Sequence, residues 1–126
     1  MTGGTPDSGA QDHDAPTRER LVQEARRSII ARRALTGRLP PAFIPDPALD
    51  FLKALYVAQA EGRGMSRREL CDQTTVAPSV AARWIGALVA EALAFERAGE
   101  VHLSAHGLSV VEDGMRAVIA ATSDLP

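Results

Sequence analysis

Residues 65–107, MSRRELCDQTTVAPSVAARWIGALVAEALAFERAGEVHLSAHG, constrain this chain more than any other stretch. Ser66-Arg67-Arg68-Glu69 has the S-x-x-E spacing of a capping box, in which serine and glutamate satisfy each other's free backbone N–H groups. It predicts a short helix to about Gln73, with Leu70 and Cys71 facing inward. Thr74-Thr75-Val76 then form a turn. A second helix runs over 77–91, opened by Pro78, whose missing N–H costs nothing in a first turn. Ala81, Trp84, Ile85 and Leu88 follow one another at 0, +3, +4 and +7 and bury together, which turns Ser79, Ala82, Arg83 and Gly86 outward. Residues 93–97 and 100–103 are short strands around an Ala98-Gly99 turn.

Helix, tight turn, helix and a two-stranded ribbon in that order predict a winged helix-turn-helix, a unit that commonly lays its second helix in the DNA major groove. The fold class expected is therefore mainly α with a small β-wing, flanked by long N- and C-terminal helices. Within it, Arg83 is placed to donate bidentately to guanine O6 and N7 or to clamp a phosphate. The alternative is a surface arginine paired with a nearby acid. Arg67 and Arg68 begin the helix that crosses the DNA backbone in this geometry, where phosphate contact and plain solvated charge are both open readings.

The rest of the chain divides by composition. Residues 1–16, MTGGTPDSGAQDHDAP, carry three Asp and no Lys or Arg, lack apolar material and read as a disordered acidic tail. Residues 17–38 carry seven Arg against Glu19 and Glu24, a local balance of +5 hidden inside a net charge of -2. This segment reads as a helix to about Leu35 with an apolar stripe of Leu21, Val22, Ala25 and Ile29, stopped by Gly37. Its charge has three readings: a solvated face flanking a dimer seam, a phosphate contact, or a docking site for an acidic protein partner. Residues 39–46 form a linker, since Pro40, Pro41 and Pro45 remove backbone donors. Phe43 and Ile44 are expected to pin it to the body. Asp46-Pro47 then caps a helix over 47–61 with Leu49 (or Phe51), Leu52, Leu55, Tyr56 and Ala60 inward. Ser104 caps a last helix over 105–122 with a stripe of Leu108, Val111, Met115, Val118 and Ile119. Residues 47–122 are thus one winged-helix domain with its C-terminal helix. With aromatics at 4%, its core must be aliphatic, and a lean core of this kind often gains stability by dimerising.

Other chemistry is poorly supplied. No glycine-rich phosphate loop follows a strand, and neither G-x-S-x-G nor H-E-x-x-H occurs, so no catalytic residues and no cofactor are expected. His102 and His106 straddle a strand-to-helix junction, and no Cys or carboxylate completes a metal set with them. The single cysteine, Cys71, excludes an internal disulfide; beside Leu70 on a core-facing side it reads as a buried thiol rather than a redox sensor. No apolar leader or 18-residue apolar window occurs, which makes the chain cytoplasmic by expectation, with no membrane partner.

DPALDFLKALYVAQAEG, MSRRELC, VAPSVAARWIGALVAEAL and VHLSAHG together resemble the MarR-type winged helix-turn-helix transcription regulators, closest to a short alphaproteobacterial-like subgroup with a long N-terminal helix. The likeness spans residues 46–119, and Arg83-Trp84-Ile85 is its most specific match. The resemblance implies a bacterial homodimer on double-stranded DNA, each recognition helix entering a major groove at one half of a palindrome. It implies that Ser79 and Arg83 contact DNA, with Pro78 and Ala82 beside them. It also implies that Leu21, Val22, Ala25 and Ile29 with Val111, Met115, Val118 and Ile119 form the dimer seam. The wing departs from the family's Asp-x-Arg-type basic tip: here it is Arg97-Ala98-Gly99-Glu100, leaving Arg97 as its one basic residue. That departure keeps a second reading in view, a winged-helix module for protein contacts.

Overall fold

The computed structural model of the chain describes residues 16–36, 38 and 47–123. The acidic tail (except Pro16), the Gly37 stop, the 39–46 linker with Phe43 and Ile44, and the Asp46 cap lie outside the described residues. The described part is mainly helical with one small antiparallel sheet.

Helix α1 (Arg18–Thr36) is capped by Thr17, whose Oγ1 accepts from the Arg20 N–H at 3.2 Å. It packs on α2 (Ala48–Ala60) and on the last helix, α5 (Ala105–Ser123). Between them lie α3 (Arg67–Thr74), α4 (Pro78–Ala90), β1 (Ala94–Arg97) and β2 (Glu100–Leu103). Along α2 the structure chooses Phe51, fully buried, over Leu49, which is 56% exposed. Ala60 is exposed, contrary to expectation, and Ala58 is buried instead. The inward arc of α2 is set by Phe51, Leu52, Leu55 and Tyr56, and Ala60 falls outside that arc because helical positions advance by about 100°.

Most residues of the stripes expected at a dimer seam are covered within the chain itself. Leu21, Val22 and Ala25 on α1, and Val111, Met115 and Ile119 on α5, are buried in the chain's own core against α2. Ile29 is half-buried and only Val118, at 41%, stays open. The physical reason is that α2 alone cannot cover its apolar arc. A fully buried Leu or Ile side chain contributes about 1.5–3 kcal/mol, and α1 and α5 supply those contacts within one chain.

Polar groups tie the same three helices. The buried Glu112 carboxylate on α5 accepts from Arg18 Nε at 2.5 Å and Nη2 at 3.0 Å, and from the Tyr56 hydroxyl at 2.9 Å. Arg26 pairs with Glu61 at 3.0 Å and Arg32 with Asp50 at 2.6 Å. The buried Lys53 amine donates to Ser28 Oγ at 2.6 Å, and burial holds its pKa below the usual lysine range. Part of the positive charge of α1 is therefore neutralised by acids of the body rather than displayed. None of the described helices is long and apolar enough to cross a membrane.

Candidate nucleic-acid interface

The capping box forms as spelled: Glu69 N–H donates to Ser66 Oγ at 3.1 Å, and Ser66 N–H donates to Glu69 Oε1 at 2.9 Å. The bond from the Ser66 N–H favours the ionised carboxylate and, with the charge of Arg63, holds Glu69 below its usual pKa. Helix α3 ends at Thr75, whose left-handed backbone (φ 58°) turns the chain sharply. Val76 N–H then donates to Cys71 O at 3.1 Å, and Pro78 opens α4 after only three intervening residues.

Leu70 on α3 and Ala81, Ile85 and Leu88 on α4 are buried together. Trp84, expected to be fully buried with them, is half-buried and packs on the core from its edge, because a large indole at +3 of the stripe overreaches it. Across the helix, Ser79, Arg83 and Gly86 are exposed and Ala82 is half-buried.

The ribbon follows. Ala94 pairs with Leu103, Phe95 with His102, Glu96 with Val101 and Arg97 with Glu100. Both turn residues are left-handed, Ala98 at φ 52° and Gly99 at φ 77°, as a two-residue hairpin matched to strand twist requires. Met65 adds a bridge on the outer side of β2 through two bonds with Val101, at 3.0 and 2.7 Å. Nothing in the local sequence pattern anticipates that bridge.

Four of the residues assigned to DNA line one concave surface: Arg67 and Arg68 from α3, Pro78 and Ala82 from α4. The concavity holds about 640 Å³, with Cys71, Asp72 and Val76 completing its walls. Cys71 is buried. Ser79 and Arg83 are one helical turn apart on the exposed side of α4. Among the described residues no acid or other side chain engages Arg83 or Arg68.

Two assigned residues stand differently. Arg67 is held by Glu96 of β1 in a two-pronged pair, Nε to Oε2 at 2.8 Å and Nη2 to Oε1 at 2.7 Å. Glu96 is lowered in pKa by those hydrogen bonds and Arg67 is raised. Arg97 lies over the Phe95 ring at 5.6 Å on the opposite face of the ribbon from Glu96. Phe95 in turn stacks on His102 with ring centroids 5.2 Å apart. Sequence reasoning missed Glu96. Its signal was the strand period of two, which puts Glu96 on the same side as buried Ala94.

Among the described residues, no group of three His, Cys, Asp or Glu side chains could hold a metal ion. His106 is exposed. Comparison with known protein families and with curated proteins returns no match for this chain.

Proposed function

We propose that this chain is a winged helix-turn-helix protein of MarR-like type that binds double-stranded DNA as a homodimer and regulates transcription. The observation that carries the reading is α4 itself. It follows α3 through a tight turn and precedes a two-stranded ribbon, and it leaves Arg83 exposed and, among the described residues, unpaired beside a concavity lined by Arg67 and Arg68. In this reading α4 enters the major groove, Arg83 and Ser79 meet base edges or phosphates, and the start of α3 lies on the backbone.

The partner in the dimer is a second copy. The open side of α5 offers one face for it. There Val110, Gly114, Ala117, Val118 and Ala121 recur at helical spacing, all exposed, Val110 and Val118 at 41% each. Small side chains there let two helices approach closely.

Replacing Arg83 by alanine is expected to weaken binding to a bound duplex by about 1–3 kcal/mol if it reads a base. Fluorescence anisotropy on labelled duplex checks it, and unchanged affinity removes Arg83 from the interface. A protein-docking module remains the second reading, favoured by one observation: the wing offers Arg97 alone, and that guanidinium already lies over Phe95. Weak heparin retention with binding that ignores salt would favour it, since phosphate contacts release counterions and weaken steeply with salt.

A further inference from the structure

The Arg67–Glu96 pair joins two parts of the candidate interface that are 29 residues apart in sequence. Both side chains are open to solvent, 49% and 37% exposed, so the pair is not a core staple. Arg67 lines the concavity with Arg68, and the pair ties that side chain to the Glu96 carboxylate. One edge of the guanidinium is committed: Nε and Nη2 both donate to the one Glu96 carboxylate, whose charge offsets that of Arg67.

From this we infer that Glu96 sets the strength of DNA binding by withholding Arg67 from the phosphate backbone. The inference rests on reading α4 and its neighbours as the DNA-facing surface. While the pair is closed, Arg67 contributes no net charge to that surface. For Arg67 to reach a phosphate, the pair must open, and Glu96 is then left as an unpaired carboxylate near a polyanion. Either state weakens association relative to a wing with a neutral residue at position 96. Asp72 in the same concavity adds a second negative charge but, among the described residues, holds no arginine.

The test compares the full chain, Glu96→Gln and the double variant Arg67→Gln/Glu96→Gln on one random-sequence duplex over a series of salt concentrations. Glu96→Gln keeps the shape of the side chain and removes its charge. It is expected to melt within about 5 °C of the parent, as loss of an exposed ion pair allows. Its affinity at low salt should rise about threefold to tenfold, and the slope of log affinity against log salt should steepen by about one, the signature of one more phosphate contact. In the double variant the slope should return to that of the parent. An unchanged slope in Glu96→Gln, or a steepening that persists without Arg67, overturns the inference while leaving DNA binding intact. Weaker binding by Glu96→Gln also overturns it and makes Glu96 a residue that positions the wing. If neither the parent nor Glu96→Gln binds duplex at low salt, the DNA reading falls and this inference falls with it.

Discussion

Gly107→Ala is expected to destabilise the protein more than any single change on its surface. A Cβ at position 107 would overlap the Leu93 carbonyl oxygen and sit 2.9 Å from the carbonyl carbon, and these are backbone atoms that cannot rotate away. The approach is close because Ser104 gathers three chain segments. Its Oγ accepts from Gly107 N–H at 2.9 Å and donates to Ala92 O at 2.6 Å, and its own N–H donates to Leu93 O at 3.1 Å. This seats the first turn of α5 directly on the exit from α4, where Ala92 is left-handed at φ 60°. A methyl group there must push α5 off the ribbon or break the Ser104 bonds. Overpacking costs about 1–3 kcal/mol or more, and a lost cap adds about 1 kcal/mol. A shift of that size lowers the melting temperature by roughly 10–20 °C in a domain of this length. Thermal unfolding followed by circular dichroism checks it; a loss below a few degrees would mean that α5 accommodates the methyl without disturbing Ser104. Gly86, on the exposed side of α4, has open space where an alanine methyl would stand and provides the comparison: Gly86→Ala should not destabilise.

The second large effect belongs to Glu112. Its carboxylate is buried on α5 and joins Arg18 of α1 to Tyr56 of α2. Burial alone would raise its pKa. The hydrogen bonds from Arg18 and Tyr56, with the charge of Arg18, outweigh burial and hold it below the usual glutamate range. Tyr56 moves the other way: burial and the bond it donates to Glu112 keep its hydroxyl protonated far above the ordinary tyrosine value. Glu112→Ala orphans the Tyr56 hydroxyl, itself 1% exposed as a residue, at a cost of about 1–3 kcal/mol. Tyr56→Phe, which keeps the ring and removes the hydroxyl, should cost less.

The pH dependence follows in sign. Because Glu112 is depressed in the folded state, its contribution is complete above the unfolded value of about 4.3 and is lost as pH falls below it through the folded value. Because Tyr56 is raised, its contribution is complete below the unfolded value of about 10 and is lost as pH rises above it through the folded value. Stability should therefore hold between those limits. Glu112→Gln should flatten the acid limb measured by urea unfolding at several pH values. An acid limb identical to the parent's would show that other carboxylates, Glu69 and Glu96 among them, account for it.

What could be read from the sequence was local. The capping box places Glu69 three residues from Ser66, the hairpin turn occupies two residues, and the α4 stripe repeats every turn; each is decided by neighbours within one or two turns. The interactions that went unseen join distant segments: Arg67 to Glu96, Tyr56 to Glu112, Lys53 to Ser28, Met65 to Val101. Periodicity says that Leu21 and Val111 must be buried but not against what, and α2 of the same chain answers that. Charge was misleading for the same reason. Seven arginines over residues 17–38 look like an anion site until Glu112, Glu61 and Asp50 are found opposite three of them.

The central proposal, a dimer that reads duplex DNA through α4, is tested most directly by selecting bound sequences from a randomised duplex pool with the purified full chain at physiological salt. The expected result is enrichment of a palindrome whose half-sites lie about 10 base pairs apart, lost or relaxed in Arg83→Ala. Folded protein that enriches no motif would contradict it.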